Sequence, residues 1–336
     1  MAGLPADVLL VSLGSTAGLR AVDDALLGAL ERAGARVAMV RATAPPPVRT
    51  MALTDLAWAR AARVAAQEGL ARHRPRAVLY GSVGAALLWP RPGAIRLDAA
   101  MAANRPGRHG VWQRPRERWL LRRCPLLVPQ SAEALAEVPQ PRPAAVVVPP
   151  PVALPDRVRP WAERDVAAVA YAADPTKKGL DRVLAAWSRA RRDGEELVVC
   201  AAPAGAVPRV PGVRDAGRLD RAAFLELLGR ARVLVGAPRR EDHGLVQLEA
   251  LAAGARVVTT SAPGAFVALS LLRALEPRAV VADAEDPAAL AAALRAALDA
   301  PAGALQERAR GLLADRFAPA AVDRVVAGQL LPALLG

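Results

Sequence analysis

The sequence predicts an α/β protein built as two Rossmann-like domains facing a central cleft, and three observations carry that prediction. The chain has 336 residues, more than one hydrophobic core normally organises, so two domains of roughly 150 residues are expected. Short apolar runs alternate with stretches of helical spacing, which is the pattern of parallel βαβ units. The alternation breaks once, where prolines crowd the chain from Pro139 to Pro160, and then restarts. Composition agrees: 53% hydrophobic and 23% charged residues can fill sizeable cores and exclude global disorder, while 3% aromatics argue against a sheet-only protein.

In chain order, Val8 to Leu13 reads as a strand, Gly14 to Gly18 as a loop, Leu19 to Ala33 as a helix and Arg36 to Val40 as extended, a βαβ opening. A helix from Leu53 to Gly69, a strand from Ala77 to Tyr80 and another near Ile95 to Leu97 continue it. One short strand, Ala145 to Val148, lies inside the proline-rich linker. Beyond it come strand Val166 to Tyr171, helix Leu180 to Arg191, strand Leu197 to Cys200, helix Arg221 to Gly229 and strand Val233 to Val235. Helix Leu245 to Ala253, strand Arg256 to Thr259 and alanine-rich helices after Pro287 complete the second half. The expected division is 1–155, 156–320 and a C-terminal helix, 321–336, packing back on the N-terminal domain.

The net charge is +13, and of 45 basic side chains only Lys177 and Lys178 are lysine. Residues 1–155 hold 20 basic and 10 acidic groups (net +10) and residues 156–336 hold 25 and 22 (net +3), so the first half carries most of the field. Such a field suits anionic partners: nucleotides, phosphorylated substrates, nucleic acid or an anionic membrane. No nucleic-acid recognition motif is visible, which ranks that partner last. Cys124 and Cys200 are too few for a disulfide framework and point to a reducing compartment. The N-terminus lacks the features of a signal peptide, and no uncharged apolar stretch is long enough to span a membrane. A cytoplasmic protein is expected, with peripheral contact at the inner face of the membrane.

The informative segment runs from Arg239 to Gly254, RREDHGLVQLEALAAG, between two strands of one βαβ unit, where ligands bind beyond the carboxyl ends of the strands. Glu241 lies in the loop. The helix that starts after Gly244 is apolar nearly all round except for Gln247 and Glu249, so it should be buried on most faces, and a carboxylate there needs a partner. A ligand hydroxyl would supply one, and the N–H groups of Leu245 and Val246 suit a phosphate. The plainer alternative is that Glu249 pairs with a neighbouring Arg and Glu241 is solvated. Lys177 and Lys178 stand together just before a Gly and a helix, where a compact ammonium can meet a phosphate. The alternative there is a solvated pair.

On these residues the sequence resembles the retaining glycosyltransferases of family 4 (glycosyl transferases group 1), whose fold is GT-B. Glu241, Gly244 and Glu249, followed by Ala250-Leu251-Ala252-Ala253-Gly254, look like the family's E-x7-E signature. Lys178-Gly179-Leu180-Asp181 matches its KGld motif, Ala216-Gly217-Arg218-Leu219 its loop beside the base, Ala17-Gly18 its Gly-Gly turn and Val147 to Val152 its interdomain strand. The resemblance implies a metal-independent, retaining hexosyltransferase without a resident cofactor, its donor a nucleotide-diphosphate sugar and its acceptor a small molecule, a polysaccharide or a lipid-linked glycan. It implies an acceptor-binding N-terminal and a donor-binding C-terminal domain.

The implied roles are Glu241 on donor sugar hydroxyls, Glu249 on the ribose, and Lys178 with the Leu245 and Val246 amides on the diphosphate. Gly18 would admit the N-terminal loop to the diphosphate and Leu219 would touch the base. The family's diphosphate Arg is replaced by Ala172, so a nucleotide-sugar binding protein without transfer activity is the alternative; Arg239, Arg240 or Lys177 would have to substitute. The family's acceptor-side His is missing, and Asp98 ends that strand instead, as a ligand contact or as a strand-end cap. Arg105 to Arg123, with seven Arg, Trp112 and Trp119, reads either as a contact for anionic headgroups or a phosphorylated acceptor, or as a solvated face with inward Trp side chains. His243 beside Glu241, with three His in the chain, does not suggest a metal site.

Overall fold

The computed structural model describes residues 5–105, 107–300 and 303–336. Pro106 of the basic segment and Pro301–Ala302 of the alanine-rich region lie outside the described residues. The chain forms two compact units, Met1–Pro151 with Pro319–Gly336, and Val152–Ala318. Each is an all-parallel sheet covered by helices, so the strands are buried on both faces and read as continuous apolar runs.

In the N-terminal unit the strands are β1 Val8–Ser12, β2 Val37–Arg41, β3 Ala77–Tyr80, β4 Ala94–Leu97 and β5 Leu127–Pro129, in the order β2-β1-β3-β4-β5. Strand β1 is fully buried inside the sheet, next to β2, which is half-exposed at the edge. The proline-flanked run Ala145 to Val148 is a ribbon rather than a full strand: it makes one bridge to Leu127, and Val148 N–H donates to the Pro129 carbonyl at 2.9 Å. The helices Pro319–Val325 and Leu331–Leu335 enclose a π-helical turn, and the apolar side chains Val322, Val326 and Leu330 pack with Val8, Leu10, Leu26 and Leu30. Arg32 closes that contact through a bidentate pair with Asp323 at 2.7 and 2.8 Å. One helical stretch, Gly303–Leu335, is long and apolar enough to cross a membrane by length and composition. Its latter half is the packed segment just described.

In the C-terminal unit β6 Val166–Tyr171, β7 Leu197–Cys200, β8 Val213–Gly217, β9 Ala231–Gly236, β10 Arg256–Thr260 and β11 Val280–Val281 follow the order β11-β10-β9-β6-β7-β8. One core layer holds the helix Leu245–Ala252 with Phe224, Leu234 and Phe266. The opposite layer packs the helices Leu180–Ala190 and Pro287–Asp299 around the fully buried Trp187, whose indole N–H donates to the Gly212 carbonyl at 3.0 Å.

The far end of helix Leu245–Ala252 is fixed by a residue that sequence reasoning passed over. Arg164 is 1% exposed and donates to the carbonyls of Ala231 and Ala253 at 2.5 and 2.7 Å. Burial pulls its pKa down to about 10, so it stays a cation near neutrality, placed at the negative end of the helix dipole. Gly254 makes room for it: with φ +80°, an added Cβ would meet Val158 Cγ1 at 2.3 Å and Arg164 Nη2 at 2.8 Å. That contact explains why a Gly must close this helix.

Candidate active site

The near end of the same helix carries the candidate site, in the C-terminal unit at the carboxyl ends of β6 and β9. Gly244 takes φ +83° as the N-cap, where an added Cβ would lie 2.7 Å from Ala268 Cβ and 3.0 Å from Phe266. The first intrahelical bond is Leu248 N–H to the Gly244 carbonyl at 3.1 Å, so the N–H groups of Leu245, Val246 and Gln247 precede it and form the positive end of the helix. A pocket opens there, lined among others by Tyr171, Lys178, Glu241, Val246 and Gln247.

Glu241 is 7% exposed, not solvated, and it accepts from Lys178 Nζ at 2.6 Å. The two loops that present this pair are stitched together. Gly179, at φ +64°, sits so close to the Ala237 carbonyl that an added Cβ would be 1.8 Å from its oxygen. Arg239 N–H donates to the Lys177 carbonyl at 2.8 Å, and its guanidinium holds Asp181 bidentately at 2.8 Å. Lys177 Nζ and Arg240 Nε both meet Asp242, at 2.9 and 2.7 Å. Gly179→Ala is therefore expected to destabilise the unit by about 1–3 kcal/mol from the backbone conformation alone, before any displacement of the Ala237 carbonyl. A urea unfolding midpoint unchanged from wild type would contradict this.

These contacts bear on the missing diphosphate arginine. Arg239 pairs with Asp181, and Lys177 and Arg240 with Asp242, as Lys178 does with Glu241, so each of the three expected substitutes would have to exchange a carboxylate for a diphosphate. Ala172 itself is buried in the layer of helix Leu180–Ala190, whereas the preceding Tyr171 lines the pocket. The alternation of side chains along a strand accounts for this: adjacent residues point to opposite faces. The Tyr171 ring centroid is 5.9 Å from Lys178 Nζ and 5.8 Å from the Phe224 ring. Burial holds its hydroxyl above the usual phenol range, and it remains protonated. Neither composition nor motif pointed to Tyr171.

Glu249 is 3% exposed on the buried face of the helix, and Arg221 Nη2 approaches its Oε1 at 2.7 Å. The plainer sequence reading of this carboxylate, an arginine pair, is thus what the structure contains. The arginine is half-exposed while the carboxylate is not, and burial raises the Glu249 pKa against the lowering effect of Arg221. Leu219 is partly buried against the same core layer, two residues after Gly217, which ends β8 at φ +60°. His243 is 7% exposed and packs edge-on against Phe317, ring centroids 6.3 Å apart. Among the described residues no group of three or more His, Cys, Asp and Glu side chains could hold a metal ion.

The remaining expected residues lie in the N-terminal unit. Gly18 is in the first turn of helix Ala17–Arg32 rather than in the preceding loop, and the left-handed glycine of that loop is Gly14, at φ +61°. Asp98 Oδ1 accepts from the next residue's N–H, Ala99, at 2.9 Å, a strand-end turn. Arg105 is turned inward onto Asp55 at 2.8 and 3.1 Å, and Trp112 donates to the Ala52 carbonyl at 3.1 Å. Both side chains are partly buried and hydrogen-bonded within the unit. The exposed aromatic of the segment is Trp119, 38% accessible, with the Arg116 and Arg123 guanidinium groups 4.3 and 4.9 Å from its ring.

Residues 163–300 match the family model described as Glycosyl transferases group 1. The chain is similar in structure to sucrose-phosphate synthase from Thermosynechococcus elongatus, with a TM-score of 0.74 at 18% identity over 97% of this chain and 98% of that one. It is similar to WaaG, a glycosyltransferase involved in lipopolysaccharide biosynthesis, with a TM-score of 0.70 at 16% identity over 96% and 99%. Anabaena HepE, in complex with UDP-glucose, aligns with a TM-score of 0.66 at 14% identity over 96% and 98%. No curated protein matches the sequence. The chain has the GT-B fold.

Proposed function

We propose that the protein is a retaining, metal-independent glycosyltransferase of family 4 that moves a hexose from a nucleotide-diphosphate sugar to a small-molecule, polysaccharide or lipid-linked acceptor. The C-terminal unit would bind the donor and the N-terminal unit the acceptor. The observation that carries this reading is the Lys178–Glu241 pair, 2.6 Å apart and held by two stitched loops beside an uncapped helix N-terminus. HepE, of the same fold, is described in complex with UDP-glucose, which supports a nucleotide-sugar donor.

The chemistry follows from exchanging partners. In the structure Lys178 and Glu241 satisfy one another. A diphosphate draws the Lys178 ammonium and the amides of Leu245 and Val246, whose positive charge stabilises the leaving group as the glycosidic bond breaks. Glu241, buried and released from its lysine, then needs new donors, and sugar hydroxyls provide them. Glu249 stands about one turn further along the helix for the ribose hydroxyls, which would share it with Arg221 or displace that arginine into solvent. In the retaining path the departing phosphate accepts the acceptor's proton, so the protein need supply no separate base.

A thermal-shift screen of nucleotide-sugars tests the donor assignment. A donor present at ~100 times its dissociation constant should add about 2.7 kcal/mol of stability; no shift with any nucleotide-sugar would refute it. A cytoplasmic enzyme touching an anionic membrane is part of the same reading. Within Arg105 to Arg123, the exposed side chains Arg118, Trp119, Arg122 and Arg123 support that contact. Co-sedimentation with anionic vesicles at low salt, reduced by Arg118→Glu with Arg122→Glu, is the expected result. Equal partitioning to neutral and anionic vesicles would exclude an electrostatic contact.

A further inference from the structure

Two polar side chains, Glu249 and Gln247, interrupt the apolar surface of helix Leu245–Ala252. Gln247 is 6% exposed and borders the pocket that holds Lys178 and Glu241. Its Oε1 is fully buried without a hydrogen-bond partner. The amide lies over the carboxyl end of β9, where a Cβ added to Gly236 would stand 3.9 Å from Gln247 Nε2 and 4.0 Å from Thr259 Oγ1. Other walls of the pocket are Leu234, Val235 and Pro238, which offer Gln247 no side-chain polar group. A buried carbonyl oxygen with no donor is expensive to keep, and an apolar side chain of the same length would fill this position at less expense.

We propose that Gln247 reads hydroxyl groups of the transferred sugar and so helps to set which sugar the site accepts. This rests on the donor reading given above. The chemistry selects the sugar over the phosphates: near neutrality the diphosphate group presents acceptors only and cannot satisfy Oε1, whereas a hydroxyl both donates and accepts. Two neighbouring hydroxyls can engage the carboxamide together, one donating to Oε1 and one accepting from Nε2. Glu241 then holds the sugar from the loop and Gln247 from the helix. A site built to hydrogen-bond a hydroxyl rejects ligands that lack it far more strongly than an apolar wall does.

The test is calorimetric titration of wild type and Gln247→Met with UDP and UDP-glucose, with ADP and ADP-glucose, and with GDP and GDP-mannose, in parallel. In the variant, affinity for the nucleoside diphosphate should stay within about twofold of wild type, while affinity for the matching nucleotide-sugar falls at least ~10-fold. If Gln247→Met does not fold, Gln247→Asn withdraws the amide by one methylene and allows the same comparison. Equal losses for nucleotide and nucleotide-sugar, or no loss for either, would overturn the proposal and leave the donor reading standing. A wild-type protein that binds none of the six compounds would overturn the donor reading and this inference with it.

Discussion

Replacing Lys178 with alanine should lower turnover by about 10²–10³-fold, the loss typical of removing one preorganised group that stabilises developing negative charge. It should also weaken binding of the nucleoside diphosphate. A second effect separates this residue from a surface lysine. Its partner Glu241 keeps only 9% of its side chain accessible, so the variant leaves a buried carboxylate without its cation. Breaking a buried pair from one side costs about 3–5 kcal/mol, and the lower end applies because Lys178 retains 22% exposure. The double variant Lys178→Met with Glu241→Gln removes both charges. It should recover most of that stability and none of the activity. Unfolding midpoints for the single and double variants, beside turnover, check both statements. A Lys178→Ala protein as stable and as active as wild type would show that the pair is an incidental surface contact.

Glu249→Ala should weaken nucleoside diphosphate binding by about 1–3 kcal/mol, or about 5- to 150-fold, because ribose hydroxyls lose a buried acceptor. Glu241→Ala should instead lower turnover more than nucleotide affinity, since its proposed partner is the sugar. The contrast matters because the structure pairs Glu249 with Arg221, an arrangement that a purely structural carboxylate would also show. If Glu249 serves only that ion pair, Glu249→Ala will change stability and leave nucleotide affinity untouched in calorimetry.

Much of the scaffold of this site was legible in the sequence. Strands β6 and β7 are continuous apolar runs because helices cover both faces of the sheet, and their limits follow from residue type. Strand β8 was missed for the opposite reason: it lies at the sheet edge with Arg214 and Asp215 exposed, and it reads as loop. Strand β5, three residues between Pro125 and the Pro129 that ends it, was too short to read as a strand. In the site, the pair Lys177-Lys178 before Gly179 announced a special loop in an arginine-dominated chain. What could not be read was which carboxylate each cation meets. Arg239 finds Asp181 and Lys178 finds Glu241 across 58 and 63 residues, and local spacing does not encode such pairings. Ala172 illustrates the same limit: the substitution was visible, but only the strand's alternation in three dimensions shows that Tyr171 is the neighbour facing the pocket.

The proposed enzyme breaks a nucleotide–sugar bond in this pocket rather than merely binding a nucleotide-sugar. The direct measurement is release of nucleoside diphosphate from a panel of nucleotide-sugars, by wild type and by Glu241→Gln, with and without candidate acceptors. At least one donor should be turned over by wild type, and the variant should be slower by at least ~100-fold while still binding the nucleoside diphosphate. Binding of a nucleotide-sugar without detectable hydrolysis or transfer from any donor would contradict the account and identify the chain as a nucleotide-sugar binding protein of the same fold.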